Sequence, residues 1–356
     1  MDKNARLTYM DMVKGIAIIL VVIGHSTVAS DNVVTWLASF HMPLFFIISG
    51  MLFYIKQSQT EKFKEYFFKR FRGMMIPYFV FSAYNILLFY YQSARYPDIK
   101  TPEFIKDSYL QAFSFYGISV LWFLPAIFFA ELIFFGLMKK LPKWAVAVIV
   151  LVLSFIPAIL KPQLDIFLPD TVATIGLRFL RYLLYAILRI PTAVAFLGIG
   201  YSSGWLKGII SKKKPELKAY IEVLVGILLM ALNAVIAFTN GRVDMHYVVQ
   251  GNPVLFHIGA ASATFGLLLI FKHMPKLKLL NYLGANSLIV MLTHLDCQVV
   301  SYGLLFATKV DTFITHAKVY LYYFNMALFI LVAELVIIYV MNRWLFFLLG
   351  KKHAVK

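Results

Sequence analysis

Apolar and polar residues fall along this chain in long blocks rather than in short alternation. Ten apolar runs stand out, at 12 to 29, 36 to 55, 74 to 92, 119 to 138, 144 to 160, 180 to 200, 220 to 238, 254 to 271, 281 to 303 and 319 to 341. A helix needs roughly 20 apolar residues to cross a ~30 Å hydrocarbon core, and each run approaches that length. Barrel strands are about half as long and alternate strictly, so the pattern predicts an all-α transmembrane bundle of about ten spans. The hydrophobic runs recur from Met12 to Leu349 with no long polar block between them, so residues 1–356 are read as a single integral membrane domain. No small-residue cleavage site follows the first run, which is therefore expected to stay as a span.

Composition agrees and charge adds a direction. Hydrophobic residues make up 61% of the 356 positions and charged ones 14%, with mean hydropathy +0.78. A soluble domain would sit nearer half apolar and a quarter charged. The net charge of +17 is spread through short loops rather than gathered on one basic face, so nucleic acid is not the expected partner. With a cytoplasmic N-terminus, inner segments hold 23 of the 34 Lys and Arg residues, outer loops hold 8, and Lys14, Arg181 and Arg189 lie within spans. That bias predicts both termini inside. Lys56 to Gly73 mixes cations with aromatics and reads as an amphipathic surface helix, while Ser93 to Ile118 is the longest outer segment and could cover a cavity.

Ionisable residues at membrane depth are functional candidates by default. The first run carries Asp11, Lys14 and His25. Eleven residues separate Lys14 from His25, about three helical turns, which places them on nearly one face roughly 16 Å apart. Histidine titrates near neutrality and suits general-base work or a transient acyl adduct. In the second run, FHMPLFFIISG brings His41 near the outer end, with Pro43 expected to break the hydrogen-bond ladder behind it. Lys69, Arg70 and Arg72 gather at the inner mouth and suit anionic phosphates, or equally an anionic lipid surface. Weaker signals are Trp122, Glu131, Arg181, Arg189, His257, Asn286, Ser287, His294, Asp296 and Glu334, and the buried arginines are expected to pair with Glu131 or Glu334 across helices. The one cysteine, Cys297, offers no disulfide framework, and no HExxH, GxSxG or Cys/His metal spacing occurs, so no metal is expected.

These residues resemble a known family. Arg6, Asp11, Lys14-Gly15 and Val21 to His25, followed by FHMPLFFIISG, look like the integral membrane acyltransferase type 3 family, in particular its bacterial sugar O-acetyltransferase branch. The basic residue, ten-residue gap and histidine of that family are met by Lys14 and His25, and its later basic motif by Lys69 and Arg72 ahead of RGMMIPY. LWFLPAIFF, GNPVLFHIGA and LGANSLIVMLTH extend the likeness over nearly the whole chain. Two departures are visible. Many members carry arginine where Lys14 and Lys69 stand, and a Glu pair where this chain has Ile127 and Phe128. The resemblance implies transfer of an acyl group, usually acetyl, from cytoplasmic acyl-CoA to a hydroxyl of a cell-envelope sugar or polysaccharide, by a multi-pass protein of the bacterial cytoplasmic membrane. His25, Lys14, Asp11 and His41 are then the catalytic candidates, Lys69, Arg70 and Arg72 the acyl-CoA ligands, and Trp122, Asn286 and His294 the outer pocket. On composition alone a transporter or flippase of a lipid-linked glycan or small metabolite fits as well. The clustering of cations inside and histidines outside, without repeated broken helices, separates the two readings.

Overall fold

The computed structural model describes residues 8–25, 30–98, 100–172, 174–210, 218–313 and 319–353. Arg6 of the family-like run and residues 26–29 of the first apolar run lie outside them. Among the described residues nine helices are long and apolar enough to cross a membrane and there is no β-strand, so the protein is an all-α polytopic membrane bundle. In chain order the helices are α1 Thr8–His25, α2 Asp31–Ala38, α3 His41–Ile55, α4 Phe63–Arg70, α5 Ile76–Arg95, α6 Pro102–Phe113, α7 Phe123–Lys140 and α8 Lys143–Phe167. There follow α9 Ile175–Ile210, α10 Ala219–Asn240, α11 Pro253–Lys272, α12 Lys278–Ala285, α13 Ser287–Thr293, α14 Val299–Phe313 and α15 Val319–Arg343.

Several predicted runs are divided or joined. The run from 36 to 55 is split, because α2 ends at Ala38 and α3 starts afresh at His41. Pro43 therefore breaks nothing: it occupies the first turn of α3, where the backbone N–H has no partner within the helix. The short α2 is held by buried Asn233 of α10, which accepts the Trp36 indole N–H at 2.9 Å and donates to Ser39 and to the Gly259 carbonyl, both at 3.0 Å. The expected surface helix is α4, and it continues through a π-helical turn, Phe71–Met75, into α5. It is partly embedded, since Tyr66 is wholly buried and stacks on Phe135 with ring centroids 4.4 Å apart.

The largest difference is in the run from 281 to 303. It forms three pieces, α12, α13 and α14, with Asn286 at the first break and His294 to Gln298 at the second. Gln298 takes a left-handed conformation, φ 56°, and the Val300 N–H returns to the His294 carbonyl at 3.0 Å. Irregular backbone at membrane depth survives where protein surrounds it, and His294 and Asp296 are both buried. This segmented pass runs beside α1 in the same direction, with Leu277 touching Met12 and His294 reaching His25.

Lipid is as apolar as leucine, so helices here associate through close packing at small residues. A Cβ on Gly15 would collide with the Leu280 carbonyl of α12, and one on Gly50 with the Leu197 carbonyl of α9. These two approaches seat α12 on α1 and α3 on α9, which places the end of α1, the start of α3 and the middle of α9 around one space. The ends of the bundle differ. One gathers the start of α1, the α3–α4 link, the end of α7 and the end of α15, tied by Lys139 to the Glu61 carbonyl at 3.1 Å and Lys351 to Asn342 at 2.7 Å. The other holds His25, α2, α6 and the α10–α11 loop.

Candidate active site

At that second end lies a cavity of about 580 Å³, within the usual range for ligand pockets. Its wall takes His25 from the last turn of α1, His41 from the first turn of α3, Trp122 from the approach to α7, Arg181 and Tyr182 from α9, and Arg242 to Tyr247 from the α10–α11 loop. Four of the residues singled out in the sequence, His25, His41, Trp122 and Arg181, thus meet at one space. The outer segment expected to cover a cavity does so in part, through Gln111 and Tyr116.

The α10–α11 loop is shaped by its own polar atoms. Asp244 and Val249 exchange two backbone hydrogen bonds, at 2.7 and 2.8 Å. The Asp244 carboxylate accepts from the backbone N–H groups of His246 at 2.7 Å and Tyr247 at 3.2 Å, the turn-forming use of an aspartate. Arg189, wholly buried in α9, locks the loop from below, donating Nε to the His246 carbonyl at 2.8 Å and Nη1 to the Tyr116 carbonyl at 2.7 Å. Its guanidinium lies 4.3 Å from the Tyr116 ring centroid and 5.5 Å from that of Trp122. The His246 ring lies parallel to Trp122, 2° between planes and 5.7 Å between centroids. Burial, and then the charge of Arg189, push the His246 imidazole well below its usual pKa, so it is a neutral stacking partner.

The histidines divide by how they are tied. His41, His257 and His294 each bond through Nδ1 to the carbonyl four residues back, Leu37, Pro253 and Val290, the last two at 2.6 and 2.8 Å. A carbonyl only accepts, so Nδ1 carries the proton in each and Nε2 is left as acceptor. His25 makes no hydrogen bond among the described residues and its ring is exposed to the cavity. Wholly buried His294 backs it, ring centroids 5.4 Å apart at 42°. The geometry supplies one imidazole free to reach a bound group, with a second behind it that fixes its place. His257 faces a different, lateral space among α7, α8, α9 and α11.

The fold is that of a membrane bundle with a histidine in the wall of a partly enclosed cavity that Tyr116, Trp122 and Tyr182 also line. Over residues 7–350, all but the chain's extremities, the sequence matches the acyltransferase domain of acyltransferase type 3. The chain belongs to this family. No curated protein and no solved structure matches it.

Other predicted site residues of this acyltransferase lie elsewhere. Asp11 and Lys14 form an ion pair of 2.8 Å at the start of α1, at the opposite end of that helix from His25. Lys69 reaches Glu61 at 3.1 Å, and Arg70 is paired with buried Glu131 at 2.7 Å while covering the Tyr66 ring. Asn286 accepts from Asn342 at 2.8 Å at the basic end, away from the cavity. The expected cross-helix pairing of Arg181 and Arg189 with Glu131 and Glu334 does not form. Arg189 gives Nε and Nη1 to carbonyls and leaves Nη2 without a partner among the described residues, Arg181 donates to the Leu168 carbonyl at 2.9 Å, and Glu334 accepts from Thr293 at 2.8 Å. Carbonyl oxygens solvate a buried guanidinium without a second desolvated charge, which removes the need for a carboxylate. Arg242, Asp244, His246, Tyr116 and Tyr182 were not singled out from the sequence. The signal available was the polar run RVDMH set between two apolar spans.

Proposed function

We propose that this acyltransferase takes an acyl group, most readily acetyl, from acyl-CoA at the cytoplasmic face and places it on a hydroxyl of a cell-envelope sugar or polysaccharide at the outer face of a bacterial cytoplasmic membrane. The observation that carries the reading is the free, cavity-facing imidazole of His25, in contrast to the three histidines tied to carbonyls. The positive-inside bias puts the basic end in the cytoplasm and the cavity outside. Exposed Lys69 and Arg72, for which no ion pair is seen among the described residues in the case of Arg72, are suited to the phosphates of the donor. The aromatic faces of Trp122, Tyr116 and Tyr182 suit the C–H faces of a sugar ring.

In the direct route an acceptor hydroxyl gives its proton to His25 as its oxygen attacks the thioester carbonyl. The carbon–sulfur bond breaks, and the departing thiolate takes that proton back from the imidazolium. In the stepwise route the His25 nitrogen attacks the thioester carbonyl, the carbon–sulfur bond breaks and the thiolate leaves as CoA thiol with the imidazole proton; the acceptor oxygen then attacks the acyl carbon, the carbon–nitrogen bond breaks and the imidazole takes the hydroxyl proton. His41 lines the same space with its Nε2 as an acceptor for the hydroxyl, and His294, buried behind the His25 ring, backs that ring from outside the cavity.

The test is purified protein with radiolabelled acetyl-CoA and envelope glycans. Wild type is expected to move label to glycan, and His25→Ala to lose roughly 100- to 10,000-fold in rate while unfolding at the same temperature. Label retained on wild-type protein without acceptor, and lost in the variant, identifies the stepwise route. Full activity in His25→Ala removes the catalytic assignment, and no transfer by wild type to any glycan removes the proposal.

A further inference from the structure

On the outer side of the bundle the chain treats two neighbouring arginines of α9 in opposite ways. Arg178 is neutralised twice, by Glu103 at 2.6 Å and Asp107 at 2.8 Å, both from α6. Arg181, three residues on, faces the cavity and has no carboxylate within ion-pair distance among the described residues. Its Nε is spent on the Leu168 carbonyl at 2.9 Å, and one Nη reaches the Tyr185 hydroxyl at 3.5 Å. Across the same space Arg242 likewise makes no ion pair among the described residues, although Asp244 is two positions away. That carboxylate is turned back onto the backbone N–H groups of His246 and Tyr247, so its charge is committed to the loop. The cavity therefore presents two guanidiniums, beside the aromatic faces of Tyr116, Trp122 and Tyr182, with one carboxylate already engaged. A purely neutral acceptor would leave half-buried Arg181 and exposed Arg242 without a counter-charge, a cost that falls mainly on Arg181, where water screens less.

From this arrangement we infer that the acceptor is an anionic saccharide, whose carboxylate or phosphate is gripped between Arg181 and Arg242 while a sugar ring lies against the aromatic wall. Guanidinium is the group matched to bidentate recognition of either anion. The anion fixes the saccharide at the Arg181 side of the cavity and so selects which hydroxyl faces His25. The inference rests on the acyl-transfer reading of the same cavity and names its substrate class.

Binding and turnover test the two separately. Intrinsic tryptophan fluorescence of the full chain in micelles, with Trp122 in the wall, reports binding without any donor. The probes are a glucuronate-terminated disaccharide, its methyl ester, and a disaccharide 1-phosphate. The free acid is expected to bind more tightly than the ester by roughly 10- to 100-fold, the size expected of a hydrogen-bonded charge. Arg181→Gln and Arg242→Gln should each collapse that ratio, Arg181→Lys should restore part of it, and Arg178→Gln, outside the cavity, should leave it in place. If the phosphate shows the Arg-dependent preference and the glucuronate does not, the anion is a glycosyl phosphate. Acid and ester bound alike, or a preference untouched in both glutamine variants, overturns the inference. Arg-dependent binding of the acid with no acetyl transferred to it or to any other glycan would instead leave the inference standing and remove the acyltransferase activity proposed above.

Discussion

The two ends of the bundle use the same residue types for different ends. At the basic end three cations are matched with carboxylates, Lys14 with Asp11, Lys69 with Glu61 and Arg70 with Glu131, at 2.8, 3.1 and 2.7 Å, while exposed Arg72 is in no ion pair among the described residues. At the cavity end Arg178, outside the cavity, is paired with Glu103 and Asp107, but of the groups at the cavity Arg189 is held by carbonyls, Arg181 by one carbonyl and the Tyr185 hydroxyl, and His25 and Arg242 by no hydrogen bond among the described residues. A charge with its full set of partners is part of the framework. A charge whose partners are incomplete, in a cavity, is available to something that binds there. The sequence shows the cations at both ends, and only the fold shows which are spent.

The sharpest way to break this contrast is at Arg70. Glu131→Ala leaves a buried guanidinium without its counter-charge, and removing one member of such a pair costs about 3–5 kcal/mol, so the thermal midpoint in micelles should fall steeply. A small shift would mean that Arg70 is free for a ligand, as the sequence reading has it. Next is Arg189→Met, which keeps the bulk but strands the Tyr116 and His246 carbonyls. The expected loss is about 2–3 kcal/mol, seen as earlier unfolding together with faster hydrogen exchange in residues 241–252. Unchanged exchange there would show that the loop does not depend on α9.

A smaller effect is set by pH. Burial and the charge of Arg189 depress His246 well below the ordinary imidazole value of about 6.5, so between about 6.5 and that lower value the unfolded chain binds a proton that the folded chain refuses. Its contribution to stability is complete above about pH 6.5 and is lost as pH falls toward the depressed value. His246→Gln should flatten that part of the stability profile, and a profile unchanged by the substitution would detach the loop from this titration. The smallest effect belongs to Lys69, whose side chain is 54% exposed. Lys69→Gln should shift stability by under about 1 kcal/mol, as for surface ion pairs generally, while raising the KM for acetyl-CoA if the residue holds donor phosphate.

Much was legible from the chain itself. Apolar run length determined the all-α membrane architecture, because no polar backbone can cross lipid unpaired and only helices or closed barrels meet that demand. The Lys14 to His25 spacing and the FHMPLFFIISG segment pointed to the family, and both His25 and His41 do line the cavity. Helix ends were less legible. Pro43 reads identically in sequence whether it breaks a helix or starts one, and only the Trp36–Asn233 bond across 197 positions explains why α2 stops short. Likewise the 281 to 303 run has the composition of a straight span, and its second break goes with the burial of His294 against His25 of α1 and of Asp296 within the bundle.

What the sequence determined by itself, then, was everything set by local solvent preference: membrane class, the passes, the uneven charge and the family-bearing residues of α1 and α3. What only tertiary structure decided was partnership. Whether Arg70 meets Glu131, whether Arg189 finds carbonyls instead of carboxylates, and whether RVDMH shares a cavity with His25 depend on contacts between residues far apart in the chain, as the Arg189–His246 and Trp36–Asn233 separations of 57 and 197 positions illustrate. Hydropathy is a property of each residue alone, whereas the satisfaction of a buried charge is a property of pairs.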